Sequence, residues 1–282
     1  MSDLFHAEKV QEGLAAIYSP SGEIMYLIEG NDRAILVDTT VGLYGLRAYV
    51  EELTDKPVTV LLTHGHIDHA MGAPEFEEVY MNLADQEVYR SMWKVEDRID
   101  YVKGALRGEL PAGLSEAGFI PPTEYPFRDL QEGAVFDLGG IHVDVYSFPG
   151  HTHGSMIFLL REMRILIVGD ACNSFTFLFD NNSLFVEDYQ KEVLRVQKMM
   201  QGKYDHIFLS HVTMEIGLEL FDHIIQVCDD IMKGKTADIP FEFMGTQAFI
   251  AKGMKLNADG FFERTDGSYG NIVYSKDRVF RL

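Results

Sequence analysis

Basic residues are scarce in this 282-residue chain: 24 Lys and Arg stand against 44 Asp and Glu, a formal net charge of −20. A nucleic-acid backbone or an anionic membrane surface calls for the opposite sign, so neither is an expected partner. The acidity itself requires no function, because self-repulsion keeps a protein soluble. Cysteine is scarcer still. Cys172 and Cys228 are the only two; they are too few for a disulfide framework and fit a reducing compartment. No apolar run approaches the length that spans a bilayer, and residues 1–10 show no basic segment followed by an apolar one, so the expected location is the cytoplasm. Nothing in the composition marks an interdomain linker, and 282 residues can bury one large core, so a single domain over 1–282 is expected.

Histidine, by contrast, is concentrated. Three of the chain's ten histidines fall between positions 64 and 69, in Leu62-Thr-His64-Gly-His66-Ile-Asp68-His69. The apolar, β-branched run 58–62 predicts a buried strand that empties into His64, His66, Asp68 and His69. His64 and His66 project to one side of an extended backbone, whereas Asp68 and His69 converge only where the chain turns, as a strand passing into a turn and then a helix does. Imidazoles and a carboxylate are ligands that zinc, iron or manganese accept. A lone histidine after a strand is more often a core or surface residue, but three with an aspartate in six positions make metal binding the working premise.

Short strands and helices surround this motif. Residues 14–18, 23–29 and 34–38 predict an antiparallel meander, and 43–53 a helix stopped by Lys56-Pro57. A short strand at 78–81 and a helix-rich stretch at 84–106 follow, and prolines and glycines from Pro111 to Pro122 then break the chain. The segment 82–125 is either a lid or substrate-side insertion or a helix pair packed on the surface. Strand pairs are expected at 134–138 with 141–148 and at 156–160 with 164–168, then a helix at 187–200 and a strand at 207–209. From 238 to 282 a β-rich extension alternates strands at 248–251 and 272–274 with turn signals at Asn257-Ala-Asp-Gly260 and Asp266-Gly-Ser-Tyr-Gly270. It is either a terminal hairpin closing a sheet or a homodimer contact.

Several of these strands end on a polar residue: Asp38, His151, Asp170 and His211. Groups placed just past strand ends emerge at one edge of a sheet, where open α/β folds bind their ligands. His151, Asp170 and His211 are therefore expected to meet the first cluster. Asp38 is either a turn former or a partner for a ligand's second nitrogen. His153, two past His151, is ambiguous, while His6, His142, His206 and His223 lack the placement and are assigned to structure or surface.

With His64-Gly-His66-Ile-Asp68-His69, Pro149-Gly-His151-Thr-His153-Gly-Ser155, Val168-Gly-Asp170 and Ser210-His211 in this order, the chain resembles the metallo-β-lactamase-fold superfamily of metal-dependent hydrolases. The resemblance spans about residues 14–211. It implies an α/β chain folded as a four-layer αβ/βα sandwich, two mixed sheets packed face to face with metals at the rim. It further implies that His64, His66 and His151 hold one ion and Asp68, His69 and His211 a second. Asp170 bridges them, and Asp38 supports the histidines from behind. Cys172 matches no ligand position.

Two divalent ions are implied, zinc foremost, with iron or manganese as alternatives. Such a pair supplies hydroxide and stabilises an oxyanion, with Asp170 clamping the pair and Asp68 orienting the hydroxide. Esters, thioesters and lactones suit this better than amides, whose nitrogen must be protonated as it leaves. Gly150-His151-Thr-His153-Gly-Ser155 resembles the glyoxalase II-like and lactonase branch. The sequence departs from both members of that branch after Asp170, where Ala-Cys-Asn173 replaces a Thr-Leu-Phe-like run and Asn173 stands at the tyrosine of lactonases. Phe175, Phe177, Phe179 and Phe185 form either an apolar wall for an acyl substrate or ordinary core. The expected partner is a small-molecule substrate. Two other classes remain: a mononuclear iron oxygenase resembling persulfide dioxygenases, and a non-catalytic metal-binding protein, against which the intact ligand set argues.

Overall fold

A computed structural model describes residues 4–257 and 262–281. Four strands open it as an antiparallel meander: β1 (His6–Gln11), β2 (Leu14–Tyr18), β3 (Ile24–Glu29) and β4 (Ala34–Val37). The sequence signals β2 to β4. β1 carries no such signal, because its largely exposed, polar residues suit the sheet edge it occupies. After α1 (Leu46–Leu53), β5 (Val58–Leu61) joins β4 in parallel, and β6 (Val79–Met81) and β7 (Arg128–Asp129) extend the sheet in parallel. Between β6 and β7 lie α2 (Gln86–Met92) and α3 (Val95–Ala105).

A second mixed sheet holds β8 (Val135–Asp137), β9 (His142–Ser147), β10 (Met156–Leu160) and β11 (Ile165–Ile167). β12 (Thr176–Leu178) and α4 (Val186–Met200) intervene before β13 (His206–Phe208), which lies parallel to β11, and β14 (Glu215–Ile216). α5 (Leu220–Met232) has no counterpart among the expected elements, although its buried Leu220, Phe221, Ile224, Val227, Cys228 and Ile231 follow helical spacing. β15 (Ile239–Phe243), β16 (Thr246–Ile250) and β19 (Ile272–Tyr274) build a small sheet in the order β12-β19-β16-β15, with β17 (Met254–Leu256) and β18 (Phe262–Arg264) paired beside it. Of the turn expected at 257–260, residues 258–260 lie outside the described residues.

Side-chain alternation sets the layers. Along β3, Ile24, Tyr26 and Ile28 enter the core between the two large sheets, while Met25 and Leu27 face the helices with Leu46, Val50 and Val102. β10 repeats this: Met156, Phe158 and Leu160 meet the first sheet, and Ile157 and Leu159 pack under α4 and α5. Both faces of these strands are covered, which explains their unbroken apolar runs. The result is the αβ/βα sandwich. Each such fully buried side chain is worth about 1.5–3 kcal/mol, so the interior anchors the strands whose carboxyl ends carry the polar residues.

Candidate metal centre

Asp38 follows β4, His64 to His69 follow β5, His151 follows β9, Asp170 follows β11 and His211 follows β13. Packing of the two sheets brings these ends together. The segment after β5 turns tightly, with the His69 and Ala70 N–H groups both donating to the His66 carbonyl, and continues into a single 3₁₀ turn at Ala73–Glu75 rather than the expected helix. The turn makes Asp68 and His69 converge.

Two donor groups result: His64, His66 and His151, and Asp68, His69, Asp170 and His211, with the donor atoms of each group within 4.8 Å of one another. His66 Nδ1 lies 3.1 Å from His64 Nε2 and 2.8 Å from His151 Nε2. His69 Nε2 lies 3.0 Å from His211 Nε2, and both are within 3.5 Å of Asp170 Oδ2. Asp170 Oδ2 is also 3.9 Å from His151 Nε2, so this carboxylate faces both groups. A tetrahedral ion with ligands at about 2.0–2.1 Å sets its donors about 3.3 Å apart, and these separations bracket that value. The residues fit a pair of divalent ions.

Outer partners fix which nitrogen faces inward. The Thr63 hydroxyl donates to Asp38, so His64 Nδ1, 3.0 Å from that oxygen, must be its donor, which leaves the Nε2 lone pair facing in. His151 Nδ1 donates to the Phe177 carbonyl at 3.0 Å, and His69 Nδ1 to Asp38 Oδ2 at 2.8 Å. Asp38 thus partners a histidine's outer nitrogen, and it does so from a left-handed backbone, φ 66°. His66 Nε2 is buried without a partner among the described residues, which leaves Nδ1 as its inward donor.

Charge differs between the groups. Burial and the neighbouring imidazoles hold His64 well below its ordinary range and lower His66 to about 3. In the second group burial opposes charge on the histidines, but the carboxylates outweigh it. Asp68, Asp38 and Asp170 lift His69 well above its ordinary range, and Asp170 and Asp68 raise His211 to about 9. Burial also opposes ionisation of Asp170 and Asp68, yet His211 and His69 keep Asp170 well below, and Asp68 below, the usual carboxylate range. A divalent cation would supply the same positive charge in place of the protons.

Asp85 and Tyr101 at this site carry no sequence signal, and Asn173 shows only as a departure from the lactonases. Asp85 is buried and accepts from the Gly65 N–H at 3.0 Å and the Gly154 N–H at 2.7 Å. A Cβ at Gly154 would stand 2.6 Å from the Asp85 carboxyl carbon, so glycine is required there. Tyr101, on α3, donates to Asp68 Oδ2 at 2.7 Å, and burial with the nearby carboxylates keeps its phenol protonated. Asn173 donates to Asp170 Oδ1 at 3.1 Å. His153 is exposed and, like His6, His142, His206 and His223, belongs to neither donor group. Cys172 is buried in the core under α4, where burial pushes its thiol up to about 12.

Two adjoining cavities, of about 150 and 120 Å³, open above Asp68 and Asp170. A larger groove of about 600 Å³ beside Lys9, Glu29 and Lys56 lies at the opposite strand ends, away from both donor groups.

The family model described as the metallo-beta-lactamase superfamily matches residues 24–211. The acyl-coenzyme A thioesterase MBLAC2 of Gallus gallus is 27% identical over 206 residues, 67% of this chain and 72% of that protein. An uncharacterized protein of Mycobacterium tuberculosis is 36% identical over 149 residues, 49% of this chain and 62% of its own. Among solved structures, a double mutant of the sec-alkyl sulfatase PisA1 matches with a TM-score of 0.63 at 14% identity, over 83% of this chain and 43% of that one. The metallo-beta-lactamase FIM-1 from Pseudomonas aeruginosa, in its mono-zinc form, matches with a TM-score of 0.54 at 19% identity, over 79% of this chain and 93% of that one. At these identities the structures speak for the fold alone. The family match, which takes in every residue of both donor groups, makes this chain a member of the metallo-beta-lactamase superfamily.

Proposed function

We propose that the chain is a metal-dependent hydrolase that holds two divalent ions, zinc foremost, and cleaves a thioester, or an ester or lactone of similar size. The observation that carries this reading is the pair of donor groups facing each other across Asp170. The thioester is favoured because the Gallus gallus relative is named an acyl-coenzyme A thioesterase. When bound, such ions supply a hydroxide nucleophile near neutral pH and a Lewis acid for the developing oxyanion and the departing thiolate.

The chain's residues divide the remaining work. His64, His66 and His151 would offer ring-nitrogen lone pairs to one ion, and Asp68, His69 and His211 would hold the other. Asp170, steadied by Asn173, faces both groups of donors. Asp68, held through Oδ2 by Tyr101, orients the attacking water. A thiolate leaves without protonation, so the site needs no general acid of the kind an amide requires. In this reading the 82–125 segment belongs to the substrate side because it brings Tyr101, and the 238–282 extension because it brings Phe243. No helix among the described residues is long and apolar enough to cross a membrane, and a cytoplasmic location accords with the reading.

The test is a panel of thioesters, lactones and phosphodiesters offered to the metal-loaded protein and to Asp170→Ala. Thioester hydrolysis lost together with metal in the variant supports the proposal. Two tightly held ions and full turnover in Asp170→Ala would overturn it.

A further inference from the structure

Two aromatic rings stand across the mouth of the donor cluster. Phe177 on β12 and Phe243 at the end of β15 have ring centroids 5.3 Å apart, and both border both cavities, as do Asp68 and Asp170. One small sheet carries both rings. Phe241 braces them, 5.5 Å from Phe177 and within 8° of parallel to Phe243. β15 and β16 lie outside the 24–211 region that the family model matches, so this half of the partition lies beyond the family's matched core.

Both chambers mix polar and apolar walls. The larger is edged by Tyr101, Asn173, Ser174 and His211, with Phe175 and Val212 on its apolar side. The smaller faces His66 and His151 and is walled by Ile67, Met92, Phe179 and Met244. Asp180 at its rim is already engaged by the Asn182 and Ser183 N–H groups. Among the described residues, no Lys or Arg lines either chamber.

Resting on the thioesterase reading above, we infer that the smaller chamber receives the acyl arm of an uncharged thioester and the larger its thiol arm, with Phe243 setting the acyl length. Hydrolysis breaks the C–S bond and forms a C–O bond from water. It releases a carboxylate into the smaller chamber and a thiolate into the larger; of the two protons of the water, one is taken up by the thiolate and the other passes to solvent, and no other reactant is needed. A cavity of about 150 Å³ holds the six carbons of benzene, so by volume the smaller chamber, at about 120 Å³, suits an acyl arm of about four to six carbons. Methionine walls adapt to small differences in shape.

The experiment uses thioesters of one small uncharged thiol, with acyl arms from two to about sixteen carbons, and metal-loaded protein. In parallel, calorimetry measures binding of the thioether analogues that lack the carbonyl. The wild type should prefer about four to six carbons in both kcat/KM and affinity. Phe243→Ala should raise decanoyl relative to butanoyl by about tenfold, and Phe243→Trp should lower hexanoyl relative to acetyl by about tenfold. Opposite shifts from one position cannot arise from misfolding. Thioester turnover with the same chain-length profile in all three proteins, or a wild type favouring twelve carbons or more, overturns the acyl chamber alone. Metal-loaded wild type that hydrolyses no thioester overturns the functional reading, and the acyl chamber with it.

Discussion

Asp85 and Thr152, 67 residues apart in the chain, are joined by a 2.6 Å hydrogen bond from the threonine hydroxyl to Asp85 Oδ2. The same carboxylate accepts from Gly65 and Gly154, so one side chain ties the loop of His64 and His66 to the loop of His151. Asp85→Ala should free both loops. Leaving buried donors unsatisfied costs about 1–3 kcal/mol, and partners of this kind typically carry about 10–100-fold in metal affinity. Metal titration and thermal unfolding of the variant check both; unchanged metal affinity would show that the loops hold their geometry without the aspartate.

Tyr101→Phe removes a donor to Asp68 Oδ2 and keeps the ring. A hydrogen bond to a charged group is worth about 1.5–3 kcal/mol, so a fall in kcat of about tenfold or more is expected, with metal content retained. Steady-state kinetics beside elemental analysis separates this from loss of metal.

The metal-free protein should lose stability as the solution turns alkaline. His211 has its pKa raised from 6.5 to about 9 in the folded state, and His69 moves the same way. Their contribution is fully present below pH 6.5 and is lost as pH rises through about 9. Asp68 and Asp170 are depressed, so theirs is present above pH 3.8 and lost on acidification. Thermal midpoints of metal-free protein should therefore fall from pH 6.5 to 9.5, while cation binding at pH 7 should release protons to the buffer. Midpoints that rise over that range would contradict the assignment.

Arg98 is fully buried and donates to the Val41 and Ile120 carbonyls, pinning α3 to the loop that follows Asp38. Arg98→Met should destabilise by about 1–3 kcal/mol, because two buried carbonyls lose their donor, and should lower kcat as Tyr101 loosens. Denaturant titration and kinetics check the pairing of the two effects.

Much of the donor set was legible because its members sit just past strands whose apolar runs are visible locally. His64 after β5, Asp170 after β11 and His211 after β13 all follow this rule. Asp85 was not legible, since Asn82-Leu-Ala-Asp85 has the look of an ordinary helix start and its partners lie far along the chain. Tyr101 was hidden for the same reason. Its role depends on α3 packing against the first sheet, which periodicity does not foretell. β15 was masked by Pro240, a residue tolerated there because this strand is a sheet edge. Its alternation, with Ile239, Phe241 and Phe243 partly buried and Pro240 and Glu242 exposed, is plain only once the strand is known.

Metal stoichiometry and identity in protein purified without added metal test the central claim most directly. The account predicts two divalent ions per chain, zinc foremost, with thioester hydrolysis that falls as the ions are chelated and returns with them. One iron per chain, with oxygen uptake and no hydrolysis, would contradict it and move the protein to the oxygenase chemistry.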